Sequence, residues 1–408
     1  MGYYNADSSR PVGRFPSVYF WASGSIWATL VDYQHYTGDE SFNKDILAAL
    51  SDSKNIGPNK DYLYETSDVR TTDDIATWAL AALAAAERNL PQPNPDVPSW
   101  LTLAENSFNY LSGLWDADTC GGGINWALDT EEVQLQPYKS TLTIGAVFQL
   151  AARLARATGD ENGDFASFAN QVWDWSVKVG FVDPGFNVYD GALADDDCSR
   201  INKVQFSHTA GLYLLGSAVM ANVTGDEKWI GRAQNLTDRA IEVFFGGEEQ
   251  NVLTEVSCES VGSCTDDMAV MKGSFASALW RSTQMLPSLD QAARPVLESS
   301  AQAAVAACTE GDSGEECPMS WVDKSSGGIG AGEQASVLAL VQGLLISESD
   351  APYSEGQVDG GSSSNGSGDS NGSSGSGSGG SDESGAISMR ASAAVVVGSF
   401  MLATLSLI

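Results

Sequence analysis

Three helix-forming runs in this chain end on the same phrase: Tyr36-Thr37-Gly38-Asp39, Ala157-Thr158-Gly159-Asp160 and Val223-Thr224-Gly225-Asp226. Glycine there supplies the left-handed conformation that stops a helix, and the aspartate after it can cap whatever follows. Helix, Thr-Gly-Asp, helix is the sequence of a helical hairpin, so three copies predict stacked hairpins. Apolar residues recur at helical spacing over 25–36, 73–88, 100–114, 141–157, 167–179, 211–221, 228–245, 274–285 and 291–307, with a last helix over 335–347. Strand-like alternation is scarce. The intervals are too uneven for a solenoid of equal repeats. The expected fold is all-α, a closed ring of helical hairpins open at one end as a cleft.

A net charge of −32, from 53 acidic and 21 basic residues, repels nucleic acid and anionic lipid but not a neutral ligand such as a glycan. Six cysteines with no Cys-x-x-Cys spacing argue for disulfides in an oxidising compartment and against zinc. Cys258 and Cys264, and Cys308 and Cys317, are near enough to close small loops, which leaves Cys120 with Cys198 among the fifteen connectivities open to six cysteines. The glycosylation sequons at Asn222, Asn235, Asn365 and Asn371 fit the same secretory history.

The C-terminal region changes character. From Asp359 to Gly385 the chain is almost wholly Gly, Ser, Asn and Asp, which predicts a flexible tether over 349–385 after a folded domain over 1–348. Residues 391–408 are an uncharged apolar run. Small residues, a polar spacer and an apolar tail read as a glycolipid (GPI) anchor signal over 386–408, removed on maturation, with attachment between Gly379 and Ser384. The competing reading, a tail-anchor helix, lacks the basic residues that mark a cytoplasmic end. Such an anchor implies a secretory route to the outer face of the plasma membrane. Because Met1-Gly2-Tyr3-Tyr4 has neither the basic start nor the apolar core of a signal peptide, Met1 is expected to be internal to a longer precursor.

The chemistry points to Asp73 and Asp74, two carboxylates where a loop meets an Ala-rich helix. One protonated and one ionised carboxyl can cut or transfer a glycosidic bond. Taken locally, Thr71-Thr72-Asp73-Asp74 is equally a helix cap, and neighbours some 100° apart on a helix face one cleft only if they straddle the junction. Rival chemistries are weaker. His35 and His208 are the only histidines and no Gly-x-Ser-x-Gly elbow accompanies them. Gly121–Gly123 has no following Lys-Ser or Lys-Thr to cradle phosphate. Asp195–Asp197 and Asp266–Asp267 lack calcium-loop spacing and read as solvated charge. Trp21 and Trp126 lie in expected loops and can stack on sugars.

The ordered series Tyr33-x-x-Tyr36-Thr37-Gly38-Asp39, Asp73-Asp74 with Trp78, Cys120-Gly121-Gly122-Gly123-Ile124-Asn125-Trp126, Tyr138-Lys139, Ala151-Ala152-Arg153-Leu154, Tyr189-Asp190-Gly191, Glu255 with Cys258 and Cys264, and Lys272-Gly273 resembles fungal glycoside hydrolase family 76, the α-1,6-mannanase-like cell-surface proteins. The resemblance implies an (α/α)6 barrel and endo-acting, retaining cleavage of α-1,6-mannosidic bonds, with Asp73 as nucleophile and Asp74 as acid/base. It further implies substrate contacts from Trp21, Trp126, Tyr138, Lys139, Asp190 and Lys272, and neither cofactor nor metal. α-1,6-Mannan or a GPI-core glycan is the expected donor, wall glucan a possible acceptor, and the chain is expected to act as a monomer in cell-wall biogenesis. Several positions depart from the family pattern: Thr72 and Ile75 flank the pair in place of Asn and Gln, Ala127 stands for Gln, the Trp21 run lacks a Glu, and Ser, Thr or His replace Asn near Lys139 and Phe206. A second reading is therefore a catalytically weakened mannan-binding wall protein on the same fold.

Overall fold

The computed structural model of the chain describes residues 4, 11–16, 18–63, 71–92, 95–128, 136–247, 251–308, 316–322 and 328–357. The anchor signal, Asn365, Asn371 and the expected tether after residue 357 lie outside the described residues. Helices run over Phe20–Thr37 (α1), Asn43–Ser51 (α2), Ser53–Ile56 (α3), Thr72–Glu87 (α4), Trp100–Gly113 (α5), Thr141–Thr158 (α6), Asp164–Val179 (α7), Ser207–Thr224 (α8), Glu227–Phe244 (α9), Met271–Met285 (α10), Asp290–Ala307 (α11) and Ala331–Gln342 (α12). Each of α1, α4, α6, α8, α10 and α12 packs on the next, and α12 packs back on α1. Outside them lie α2, α5, α7, α9 and α11, and a 3-10 turn over Gly343–Glu348 continues α12. The closed ring of six inner helices, with five outer helices among the described residues, is an (α/α)6 barrel.

The sequence separates the two layers. Every residue of α4 is buried, as are Ser207 to Ala221 of α8, because an inner helix meets protein on all sides. The outer α9 buries only Trp229, Ala233, Leu236, Thr237, Ala240 and Phe244, one stripe at helical spacing. The three Thr-Gly-Asp phrases do as expected. Gly38, Gly159 and Gly225 end α1, α6 and α8 at φ of 72°, 69° and 63°, and each preceding threonine donates its hydroxyl to the carbonyl four residues back. Asp226 then caps α9 through the Lys228 amide, and Asp160 accepts from Phe165.

Some elements differ from the sequence reading. The expected α1 and α8 start four to five residues late, and the expected last helix, 335–347, begins at Ala331 and tightens into 3-10 geometry after Gln342. The helices α2 and α3 were not foreseen, nor was a small antiparallel sheet, Tyr138–Ser140 (β1), Gly191–Leu193 (β2) and Ile201–Asn202 (β3), in the order β1-β2-β3. Lys139 pairs with Ala192 and Ser140 with Gly191. The folded body also continues past Glu348, where the Tyr353 amide donates to the Glu87 carbonyl and Arg156 to the Tyr353 carbonyl. The three disulfides join Cys120 to Cys198, Cys258 to Cys264 and Cys308 to Cys317. No described helix is long and apolar enough to cross a membrane.

Candidate active site

The inner helices share one direction, so their N-termini gather at one end of the barrel. There the Trp21 amide of α1 donates to Asp74 of α4, the Thr72 hydroxyl meets that of Thr143 in α6, and the Trp21 ring stacks on His208 of α8. Asp73 and Asp74 sit in this ring of helix starts, 2% and 5% exposed.

Thr71 is the cap residue, so both acids lie inside the first turn and do not straddle the junction. A capping box gathers both around Thr71. Asp74 folds back over the helix end, its Oδ2 accepting from the Thr71 amide at 3.2 Å and the Thr71 hydroxyl at 3.0 Å, while Oδ1 accepts from the Trp21 amide at 3.1 Å. The two readings of Thr-Thr-Asp-Asp are thus both realised: Asp74 is a cap and a buried acid at the open end. Asp73 is held differently. Its Oδ1 is buried without a hydrogen-bond partner, and burial, then the neighbouring Asp74 charge, push its pKa up to about 7 against donors at Thr71 and Trp126. The two carboxyls resist ionising together, so near neutrality the pair holds one proton between them.

Thr72 ties this turn to the loop after α5. Its amide and hydroxyl both donate to the Trp126 carbonyl, and Thr71 bridges to Ala127. That loop needs its glycines. At Gly122, with φ of 145°, a Cβ would sit 2.7 Å from Trp115 and Trp175; at Gly123, with φ of 90°, it would sit 2.6 Å from Trp175. Gly121–Gly123 is a tight passage beneath tryptophans, pinned by Cys120–Cys198 and by the Trp175 indole donating to the Cys120 carbonyl.

The other expected contact residues divide. Trp21 is not in a loop but in the first turn of α1, buried, its indole N–H donating to Asp267 Oδ1 at 2.8 Å; its faces are taken by packing. Trp126 is half-buried in its loop, beside the pair through Thr72. Tyr138 and Asp190 are together, the tyrosine hydroxyl and the Asn202 amide both donating to Asp190 Oδ2 next to the start of α6. Lys139 and Lys272 are not presented to a ligand. Lys139 is fully buried and pairs with Asp116 at 3.0 Å; Lys272 pairs with Glu259 at 2.8 Å and lies 3.9 Å from the Trp321 ring centre. Burial lowers both pKa values, and the facing carboxylates hold the charges.

Sequence reasoning passed over two residues. Asp266 is exposed as expected, but Asp267 is half-buried against Trp21, which is legible only once Trp21 is known to leave α1 at that angle. His208 is buried under Trp21, where burial lowers its pKa to about 4 and keeps it neutral. Asp267 also walls an open cleft of about 580 Å³ with Val18, Tyr19, Thr265 and Asp266; Tyr19 is 62% exposed and offers an aromatic face at its rim. Glu255, whose pKa burial raises to about 7, accepts from the Ser207 amide and hydroxyl at the start of α8.

Comparison with known proteins bears directly on this arrangement. Mannan endo-1,6-alpha-mannosidase DCW1 of Saccharomyces cerevisiae is 34% identical over 374 residues, 90% of this chain and 81% of that protein. The protein of the same name from Candida albicans is 35% identical, over 82% of this chain and 74% of its own length. The crystal structure of Dfg5 from Chaetomium thermophilum in complex with glucosamine superposes with a TM-score of 0.79 at 34% identity, covering 85% of this chain and 87% of that one. The GH76A alpha-1,6-mannanase of Salegentibacter sp. HEL1_6 shares the fold, with a TM-score of 0.64 at 19% identity over 80% of this chain and 89% of that one. The sequence profile described as glycosyl hydrolase family 76 matches residues 1–356, and with a buried aspartate pair at the open end of an (α/α)6 barrel, the chain belongs to that family.

Proposed function

We propose that the protein is an endo-acting, retaining glycosidase or transglycosidase on α-1,6-mannosidic linkages, with Asp73 and Asp74 as its catalytic pair. The observation that carries this is the pair itself: two buried carboxyls sharing a proton near neutrality where the barrel opens. The mannan endo-1,6-alpha-mannosidase names of the fungal relatives support the linkage, and the glucosamine bound by the Chaetomium protein supports a GPI-core glycan as an alternative donor.

In the proposed reaction the ionised Asp73 attacks the anomeric carbon as Asp74 gives its proton to the leaving oxygen. The glycosidic C–O bond breaks and a glycosyl ester of Asp73 forms. Asp74 then takes the proton of a water or a sugar hydroxyl that attacks the same carbon and frees Asp73. Water gives hydrolysis; a wall-glucan hydroxyl gives transglycosylation. The reaction requires the shared proton on Asp74 when substrate is bound; until then the donors from the Trp21 amide and the Thr71 amide and hydroxyl hold the Asp74 carboxyl in place. Trp126, Tyr138 and Asp190 are the contact residues we retain. Asn222 and Asn235, both exposed, are proposed to carry glycans, and the segment after the barrel to tether it by a GPI anchor at the cell surface.

Digestion of α-1,6-mannan oligosaccharides followed by proton NMR tests the reading. The first product signal should be the α-anomer from internal cleavage. β-Anomer first would exclude retention, and binding without any product would leave a mannan-binding protein.

The shared proton predicts the pH profile. Raised pKa values favour the protonated form, so the singly protonated pair is present below about pH 7 and lost above it. kcat/KM should fall with rising pH through about 7, approaching tenfold per unit. Glu255 titrates in the same range, so Glu255→Gln is the control. If that variant abolishes the alkaline limb, Asp73 is not its source.

A further inference from the structure

We propose that the closed half of the barrel binds one small inorganic anion, of the size of chloride, on its axis. A cavity of about 70 Å³ runs between α1, α4, α6, α8 and α10, with Ser25 and His208 towards the catalytic end and Asp32, Gln149, Arg153 and Arg281 towards the other. It accommodates one halide with a water, or about two waters, and is too small for a sugar.

The charges around it do not cancel. Asp32 and Arg88 neutralise one another at 3.0 Å, and the other Arg88 nitrogens are taken by the Tyr36 hydroxyl and the Asp350 carbonyl. Glu87, by contrast, serves two guanidiniums, Arg153 at 2.7 Å and Arg281 at 2.7 Å. One carboxylate between two arginines leaves a unit of positive charge on the cavity wall, and the nearby Arg156 adds to it. Arg281 Nε is buried with no partner, in a residue 7% exposed. Around it the Ser274 hydroxyl lines the cavity, the Thr29 hydroxyl is given to the Ser25 carbonyl at 3.0 Å, and Gln149 accepts from Arg153 only over a long contact of 3.4 Å. The Asp32 carboxylate shares the wall but is already held by Arg88 and, at 3.4 Å, by Ser277. Water would satisfy the donors and leave the charge; an anion satisfies both.

The test compares unfolding temperature of the intact chain in sodium chloride, bromide and gluconate at one ionic strength, together with anomalous diffraction from bromide-soaked crystals. Both halides should raise Tm saturably by roughly 2 °C or more over gluconate, and one bromide peak should lie beside Arg281. Gln149→Glu supplies a near-isosteric carboxylate in the cavity. This variant should unfold no lower than halide-free wild type and lose the halide response. Arg281→Gln should lose it also, if that variant folds. Equal Tm in all three salts with no bromide peak would show a water-filled cavity and overturn the proposal, as would a halide response undiminished in Gln149→Glu.

Discussion

Replacing either Asp73 or Asp74 by asparagine is expected to lower kcat/KM on α-1,6-mannan oligosaccharides by roughly 10³-fold or more. The substitutions keep shape and burial, and Asp74→Asn retains an acceptor for the cap, so the fold should survive; Tm within a few degrees of wild type is the control. Azide then separates the two roles. On an aryl α-mannobioside with a good leaving group, an alanine variant of the nucleophile lets azide attack the substrate directly and yields the β-glycosyl azide. An alanine variant of the acid/base still forms the ester, and azide displaces it to the α-glycosyl azide. Asp73→Ala should give the β product and Asp74→Ala the α product. The opposite result would keep the pair and exchange the roles. Equal turnover of mannan by all variants would remove the pair from catalysis.

At the other end of the barrel, Glu87→Gln should destabilise the fold by about 3 kcal/mol, a drop of roughly 5–10 °C in Tm, because two buried guanidiniums lose their shared counter-charge. Burial pushes the Glu87 pKa up, but Arg153 and Arg281 together outweigh it and hold the carboxyl down at about 2. A depressed pKa contributes stability that is complete above the ordinary glutamate value and lost as pH falls towards 2. Wild type should therefore lose stability steeply between about pH 4.5 and 2, and the variant much less so over that range. A variant with the wild-type acid limb would show that Glu87 is not the linked group. Activity is a poor readout here, since the site lies across the barrel.

The helices were legible because each carries its own apolar period and stop signal; Gly38, Gly159 and Gly225 needed no tertiary context to be recognised. The strands were not. Tyr138–Ser140 is three residues long and exists because Gly191, at φ 149°, lets β2 run close against it. The aspartate pair was visible, but its geometry was not: the capping box that turns Asp74 back depends on Thr71, and its third donor comes from Trp21, 53 residues away. The lysines misled for a related reason. Lys139 and Lys272 lie next to expected loop motifs, yet their partners Asp116 and Glu259 come from segments whose approach no local pattern records. The Asp32–Arg88 and Glu87–Arg153–Arg281 contacts gather the far ends of four inner helices and have no sequence signature at all.

The contact of α12 with α1, with Gln342 donating to the Thr29 carbonyl across 313 positions, means that the ring cannot close until nearly the whole folded chain has been made. During synthesis α1 must wait with one flank unpaired, in a helix that carries residues as apolar as Ile26 and Leu30. Vectorial folding of this protein is thus a problem of storage, in which five helical hairpins are kept from self-association until the sixth arrives. Premature stops between residues 300 and 330 should behave as aggregation-prone open arcs and not as smaller barrels, and the nascent chain should depend on chaperones until its last inner helix docks.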